Sequence, residues 1–516
     1  MTAILTPKHL DVPPKPLDVT PKLLDMDQVR IDPAWALRVP ASLALRRLVL
    51  PIACVENEVF VACGDDTDHT ALQAVERFVG MPVQARQADI PALKRALQRV
   101  FGNSQGARGT DGSPIIARGG DPRLAGDSEP DAVALCDELL YAAVVREASD
   151  IHLDPCEEGA TVRFRVDGVL ERYRPLPSAA LPTIVSRFKV LGGMDIAEKR
   201  SPQDGRFTHR LGPTGQRIDI RVATLPTKHG ERMTLRLLAL QTESLTIERL
   251  GMNAEHLTRF ERAIARPHGM ILLTGPTGSG KTTTLYAALR QLIAQRGGNI
   301  LTIEDPIEYD IPGVAQVEVD TADKISFARA LRSILRHDPD IVMIGEIRDR
   351  ETADVAIKAS LTGHLVFSTL HTNSAASVVT RLHDMGVERF LIGATLRLAV
   401  AQRLVRRLCK HCRRERPLTT TEAQALGRPE AAGQSCYEPA GCLYCANRGY
   451  MGRLAIFEML PADAELAQLI TAGKEEVELV EHMRQCKLRT LLEDAADKVL
   501  NGQTTVEEVL AAATIW

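Results

Sequence analysis

The sequence predicts an α/β protein built on a mainly parallel sheet with covering helices, preceded by two smaller α+β units. Three observations predict it. Residues 250–400 alternate strand-like and helix-like hydrophobic patterns. A short apolar run, Met270 to Leu273, enters a glycine-rich loop and then the helical stretch Thr283–Ala294. Two further apolar runs, at 300–303 and 341–344, end in acidic residues. Strands of a doubly wound sheet present their ligands at such C-terminal ends.

Composition removes several function classes. The chain has 516 residues, 45% hydrophobic and 25% charged, which excludes fibrous and wholly disordered proteins. Lys and Arg number 63 against 66 Asp and Glu, a net charge of -3, and aromatics are 4%. Bulk capture of nucleic acid and base stacking are both disfavoured, so no nucleic-acid partner is expected. No apolar run reaches the length of a membrane span, and the start lacks a basic, then apolar, leader. A cytoplasmic protein that meets a membrane through partners is the expectation.

Taken in order, residues 1–29 repeat a Pro-Lys and Leu-Asp pattern around Pro7, Pro14 and Pro21. Proline in every unit excludes a coiled coil, and an extended, disordered tail is expected. Residues 30–101 read as a small α+β, partner-binding unit, with a hairpin of Leu48–Cys54 and Val59–Cys63 and helices near 69–79 and 90–101. Residues 102–129 are rich in Gly, Ser, Asp and Pro and read as a flexible linker. A second α+β unit spans 130–242, with a helix over 130–147 and strands near 150–154, 161–167, 169–173, 217–223 and 232–238. The remainder, 250–516, holds the core, a cysteine cluster and amphipathic helices.

Gly275, Pro276, Thr277, Gly278, Ser279, Gly280, Lys281 and Thr282 form G-x-x-x-x-G-K-[ST] between a strand and a helix, with Thr283 opening the helix. This is the context of a P-loop, whose backbone N–H groups and helix dipole hold phosphates. Lys281 would reach the β- and γ-phosphates of ATP, and Thr282 would ligate Mg²⁺. The next strand ends in Glu304-Asp305-Pro306-Ile307-Glu308, and a further one in Gly345-Glu346. Glu304 and Asp305 then stand near the metal and attacking water, with Glu308 closing the segment, and Glu346 suits polarisation of that water. The segment TGHLVFSTLHTN at 362–373 is a buried strand bracketed by His364 and His371. A histidine at a strand end can contact a γ-phosphate, although a packed core histidine is the commoner case.

Cys409-x-x-Cys412 and Cys442-x-x-Cys445 are two knuckles whose four thiolates can close a tetrahedral Zn²⁺ shell. Arg406, Arg407, Lys410, Arg413 and Arg414 flank the first knuckle, where cations favour thiolate. A redox dithiol is the alternative, and Cys436 reads as a bystander. The basic stretch 403–416 also suits contact with acidic phospholipid.

At these residues the chain resembles the secretion and type IV pilus superfamily of hexameric ATPases. GPTGSGKTTT resembles its Walker A, TIEDPIEY its aspartate box, LRHDPDIVMIGEIRD its Walker B and TGHLVFSTLHTN its histidine box. Upstream, ASDIHLDP, RFRVDGV, DIAEKRSPQDGR and DIRVATLPTKHGERMTLRLL are similar to its second N-terminal domain. The resemblance implies a RecA-like P-loop ATPase core with a tetracysteine zinc module at 405–453. It implies a homo-oligomeric, hexameric ring in which each site is completed by arginines from 130–242, with Arg206 and Arg221 at the matching positions. It also implies inner-membrane platform partners engaged through the N-terminal domains. The type II secretion branch is nearest, with pilus-extension ATPases as the alternative. The cysteine cluster sets the chain apart from retraction and conjugation ATPases.

Overall fold

The computed structural model describes residues 23–64, 69–101, 132–211, 216–238, 246–319 and 326–513. The expected tail up to residue 22 and the linker at 102–129 lie outside the described residues. The first unit has three strands, β1 (Val49–Val55), β2 (Glu58–Cys63) and β3 (Val83–Gln87), in that order in one sheet. Glu56 and Asn57 turn the β1–β2 hairpin with φ of 50° and 65°. Both central residues in the left-handed region match the right-handed twist of a tight hairpin. Helices His69–Val79 and Ile90–Phe101 fall where the periodicity puts them. Strand β3, parallel to β2, was not anticipated. The tail boundary at 29 is corrected. Leu24, Met26 and Val29 are buried in this unit's core, and Leu24 N donates to Gln87 O at 2.7 Å.

The second unit is a six-stranded antiparallel sheet of β4 (Ala148–Cys156), β5 (Gly159–Val166), β6 (Val169–Pro177), β7 (Gln203–Leu211), β8 (Gln216–Thr227) and β9 (Gly230–Leu238), ordered β6-β5-β4-β9-β8-β7. Helices Ala132–Val145 and Ala180–Leu191 pack on it around Phe164 and Phe188. Strand β7 and the second helix were not anticipated.

The third unit holds β10 (Gly269–Thr274), β11 (Ile300–Glu304), β12 (Ala315–Glu318), β13 (Ile341–Ile344), β14 (Leu365–Leu370), β15 (Leu396–Leu408), β16 (Arg414–Pro417), β17 (Ser435–Glu438) and β18 (Tyr450–Pro461). Seven of them form one sheet, β12-β11-β13-β14-β10-β15-β18, parallel except for the β15–β18 pair. Alternate residues of β10 feed two cores, Met270 and Leu272 on one face, Ile271 and Leu273 on the other. Burial on both faces is what makes its sequence a continuous apolar run.

The units are locked by ion pairs. Buried Arg30 of the first unit holds Glu147 and Asp167 of the second, each at 2.6 Å. Asp167 also accepts from Gly452 N of the third at 3.2 Å. Among the described residues, no helix is long and apolar enough to cross a membrane.

Candidate nucleotide site and tetracysteine centre

Strand β10, buried along its whole length, delivers the loop 275–282 to the C-terminal end of the sheet between β14 and β15. Two of its glycines are sterically required. At Gly275 (φ 147°) a Cβ would lie 2.4 Å from Gln402 O, and at Gly280 (φ 87°) 2.8 Å from Gln402 Nε2. Helix Lys281–Arg296 starts directly after, with its unpaired N–H groups at the loop. Lys281 is itself buried, and its Nζ donates to Gly275 O at 2.7 Å and Pro276 O at 3.1 Å. Burial lowers its ammonium to about 8, with Glu346 opposing the shift and Arg403 adding to it. Thr282 and Thr283 occupy the first helical turn, half-buried. Ser279 Oγ is buried without a hydrogen-bond partner among the described residues.

Glu346 follows β13, and His371 follows β14, so both sit at the loop's end of the sheet. His371 Nε2 is 3.5 Å from Glu346 Oε2. Arg348 pairs with Glu346 and lies 3.9 Å from Asp305. The structure thus gathers Lys281, Glu346, His371 and Asp305, and adds Arg348, which sequence reasoning did not single out.

Glu304 and Glu308 face elsewhere. Glu304 is buried and accepts from the Tyr286 hydroxyl, from Thr302 Oγ1 at 2.6 Å and from Gln316 Nε2 at 3.0 Å. Three donors occupy its carboxylate, which ties β11 to helix Lys281–Arg296 and to β12. Burial pushes the Glu308 carboxyl up, against the pull of Arg221, Arg236 and Arg206. Arg221 is lowered by burial, with Glu308 opposing. Arg206 Nη1 lies 3.4 Å from Glu318 Oε1. The second unit's arginines therefore already face acids of the core, within one chain.

His364 is a correction. It precedes β14, and Gly269 N, at the start of β10, donates to its carbonyl at 3.1 Å. Its Nδ1 lies 2.8 Å from Ala359 O and 3.1 Å from Thr362 Oγ1. A six-residue strand separates it from His371, which at about 3.3 Å per residue is roughly 20 Å. It is the packed histidine of the pair.

Two residues under the loop were missed. Arg403 is 2% exposed and ties Gln402 O at 3.0 Å to Asn373 O at 2.9 Å. Gln402 Oε1 accepts from Thr284 at 2.9 Å. Their signal was a Gln-Arg pair inside the otherwise apolar middle of β15.

The four cysteines converge. Sγ separations are 3.9 Å for Cys409–Cys442, 3.9 Å for Cys412–Cys445 and 3.8 Å for Cys442–Cys445, and all four lie within 4.8 Å of one another. Zinc at about 2.3 Å from each sulfur sets tetrahedral S···S edges of about 3.8 Å, whereas a disulfide needs about 2.05 Å. The donor set fits a closed zinc centre. Cys445 Sγ accepts from Gly449 N at 3.1 Å and Cys442 N at 3.3 Å, as a thiolate does. Cys436 lies apart in β17, buried. Two of the expected flanking cations serve other partners: Arg406 holds Glu508 at 2.6 Å, and Arg413 bonds Gly502 O and lies over Tyr437.

Comparison with known proteins places the chain in a family. A family model described as "Type II/IV secretion system protein" matches residues 126–511, and one described as "MshEN domain" matches 17–107. The chain is 43% identical to type II secretion system protein E of Pseudomonas aeruginosa, over 92% of this chain and 95% of that one. It is 47% identical to type II secretion system ATPase E of Vibrio cholerae, over 74% and 76% respectively. It is 40% identical to the type IV pilus assembly ATPase PilB of Thermus thermophilus, over 93% of this chain and 55% of that one. Among solved structures, the Legionella pneumophila ATPase DotB shares the fold, with a TM-score of 0.57 at 22% identity over 76% of this chain and 98% of that one. The pilus retraction motor PilT with bound ADP gives 0.50 at 26% identity, over 73% and 96%. The chain belongs to the type II/IV secretion system protein family and is a P-loop ATPase within it.

Proposed function

We propose that this chain is the cytoplasmic ATPase motor of a type II secretion machine, working as a homohexameric ring docked on inner-membrane platform proteins through its N-terminal units. One observation carries the catalytic part. Lys281 and Glu346 share the C-terminal end of the parallel sheet, where each charge acts on the other. The Lys281 ammonium transfers from the Gly275 and Pro276 carbonyls to phosphate oxygens of ATP. The loop N–H groups orient the triphosphate. The Thr282 hydroxyl and Asp305 would hold Mg²⁺, which would supply positive charge to offset that of the phosphates. Glu346 orients the attacking water, and His371 sits beside it to register the γ-phosphate. Arg206 and Arg221 leave Glu318 and Glu308 and place guanidinium charge on the transferring phosphoryl. Four thiolates leave zinc no open position, so its role in the module is structural.

Secretion is favoured by the relatives named type II secretion proteins, which match most of the chain at 43% and 47% identity. Pilus extension is the second reading, supported by the 40% identity to PilB. Contact with acidic phospholipid falls to the exposed cations Arg407, Lys410 and Arg414. The test of the catalytic assignment is Glu346→Gln in the purified protein. ATP should still bind, while phosphate release falls by roughly a hundredfold or more. Release at the wild-type rate would make the chain a nucleotide-binding scaffold.

A further inference from the structure

Away from the nucleotide end, the C-terminal helices bring together a second set of metal-binding side chains. Asp463 caps helix Ala464–Thr471, its Oδ1 accepting from Leu466 N at 2.8 Å. Helix Glu476–Gln485 packs against that helix. In its last turn stands His482, with 5% of its side chain exposed, and Cys486 follows at the C-cap. The i, i+4 spacing puts both on one helical face. His482 Nε2 is 3.6 Å from Cys486 Sγ and 3.8 Å from Asp463 Oδ1. The three donor atoms lie within 4.8 Å of one another.

The imidazole is the telling group. Among the described residues its one hydrogen-bond partner is the Cys486 thiol, with none to nitrogen or oxygen, although its side chain is only 5% exposed. Contacts of 3.8 Å are too long for such bonds. They are close to what a shared ion requires. With zinc at about 2.0 Å from nitrogen and oxygen and about 2.3 Å from sulfur, tetrahedral angles put N···S near 3.5 Å and N···O near 3.3 Å. Asp463 and Cys486 are exposed and have room to close the difference. On the other side of the ring, Nδ1 is 3.8 Å from Glu465 Oε1, beyond hydrogen-bond reach as it stands, and the exposed Glu465 has room to close on it. A carboxylate at the second nitrogen is the usual partner of a metal-bound histidine, fixing its tautomer.

We propose that Asp463, His482 and Cys486 bind a divalent, borderline-soft transition metal, zinc foremost, with Glu465 orienting the histidine. Mixed O, N and S donors select this class over calcium or magnesium. On binding, Cys486 gives its proton to solvent and ligates as thiolate. Three protein donors leave a fourth position for water, so this ion exchanges more readily than one held by four thiolates. Bound there, it pins the two helices together.

The test counts zinc in the full chain equilibrated with excess Zn²⁺ and desalted, using inductively coupled plasma mass spectrometry. Wild type should carry a zinc equivalent beyond that of the tetracysteine centre. Cys486→Ser and, separately, Asp463→Asn should lose it, the latter keeping an oxygen to cap the helix. Glu465→Gln should bind it about tenfold more weakly. Cys442→Ser should lose the tetracysteine zinc and keep this one. No zinc beyond the tetracysteine equivalent in wild type would overturn the proposal. So would undiminished extra zinc in both the Cys486→Ser and Asp463→Asn proteins.

Discussion

Lys281 rests on the carbonyls of its own loop, and burial holds its ammonium near 8. A bound triphosphate favours the charged form and raises that value. Between the free and bound values, nucleotide binding takes up a proton, so affinity falls as pH rises through about 8. Titration calorimetry in buffers of different ionisation enthalpy should show proton uptake above this pH and none well below it. Lys281→Ala should abolish ATP turnover in a coupled assay; turnover at the normal rate would remove it from the site. The motif made Lys281 and Glu346 legible in sequence, because a loop and a strand end are local features. The two histidines were not separable that way. They flank one strand, and only the direction of β14 within the sheet decides which one meets the nucleotide. Arg403 and Gln402 were hidden for a related reason: a polar residue in a buried strand reveals its purpose only when its partners in other elements, here Asn373 and Thr284, are known.

Elements were legible where both faces or one whole face is buried. β10 and β13 are continuous apolar runs, and helices His69–Val79 and Ile90–Phe101 carry clear apolar stripes. Among the strands missed, β3, β7, β12 and β18 are each the outermost of their sheets, whereas β15 lies inside the seven-stranded sheet and β16 and β17 form a pair of their own. With one neighbour and much exposed surface, β3, β7 and β12 alternate weakly or carry mostly polar residues, while β15 and β18 continue past the residues read as the α/β core. The four-cysteine module was legible from its spacing, because a tetrahedral ion would dictate both the number and the spacing of its ligands. Its removal should stay local in its chemistry. Cys442→Ser should lose the tetracysteine zinc and lower solubility, while the P-loop still binds nucleotide. Unchanged zinc content at that centre would refute the metal assignment. At the loop itself, Gly280→Ala forces a Cβ to within 2.8 Å of Gln402 Nε2 at a left-handed φ. It should weaken nucleotide binding, read by fluorescent-nucleotide titration, with the circular dichroism spectrum unchanged.

At the scale of the molecule, the second unit lies with Arg206 and Arg221 against the acids Glu318 and Glu308 of the core. In the proposed mechanism, nucleotide would offer these arginines a competing anion and so couple the phosphates to the position of a whole unit. Arg30, which holds Glu147 and Asp167, would tie the first unit to that position. Arg221→Ala should therefore lower the rate of hydrolysis by roughly a hundredfold while ATP binding changes little, measured by paired turnover and binding assays. Such long-range pairings were invisible in composition, where the charges sum to -3 and say nothing of who meets whom. The proposed coupling of hydrolysis at Glu346 to secretion is tested by expressing Glu346→Gln beside the native protein in its own host, where an inactive subunit would enter shared rings. Secreted proteins should disappear from the medium while surface pili remain. Lost pili with normal secretion, or no change in either, would contradict it.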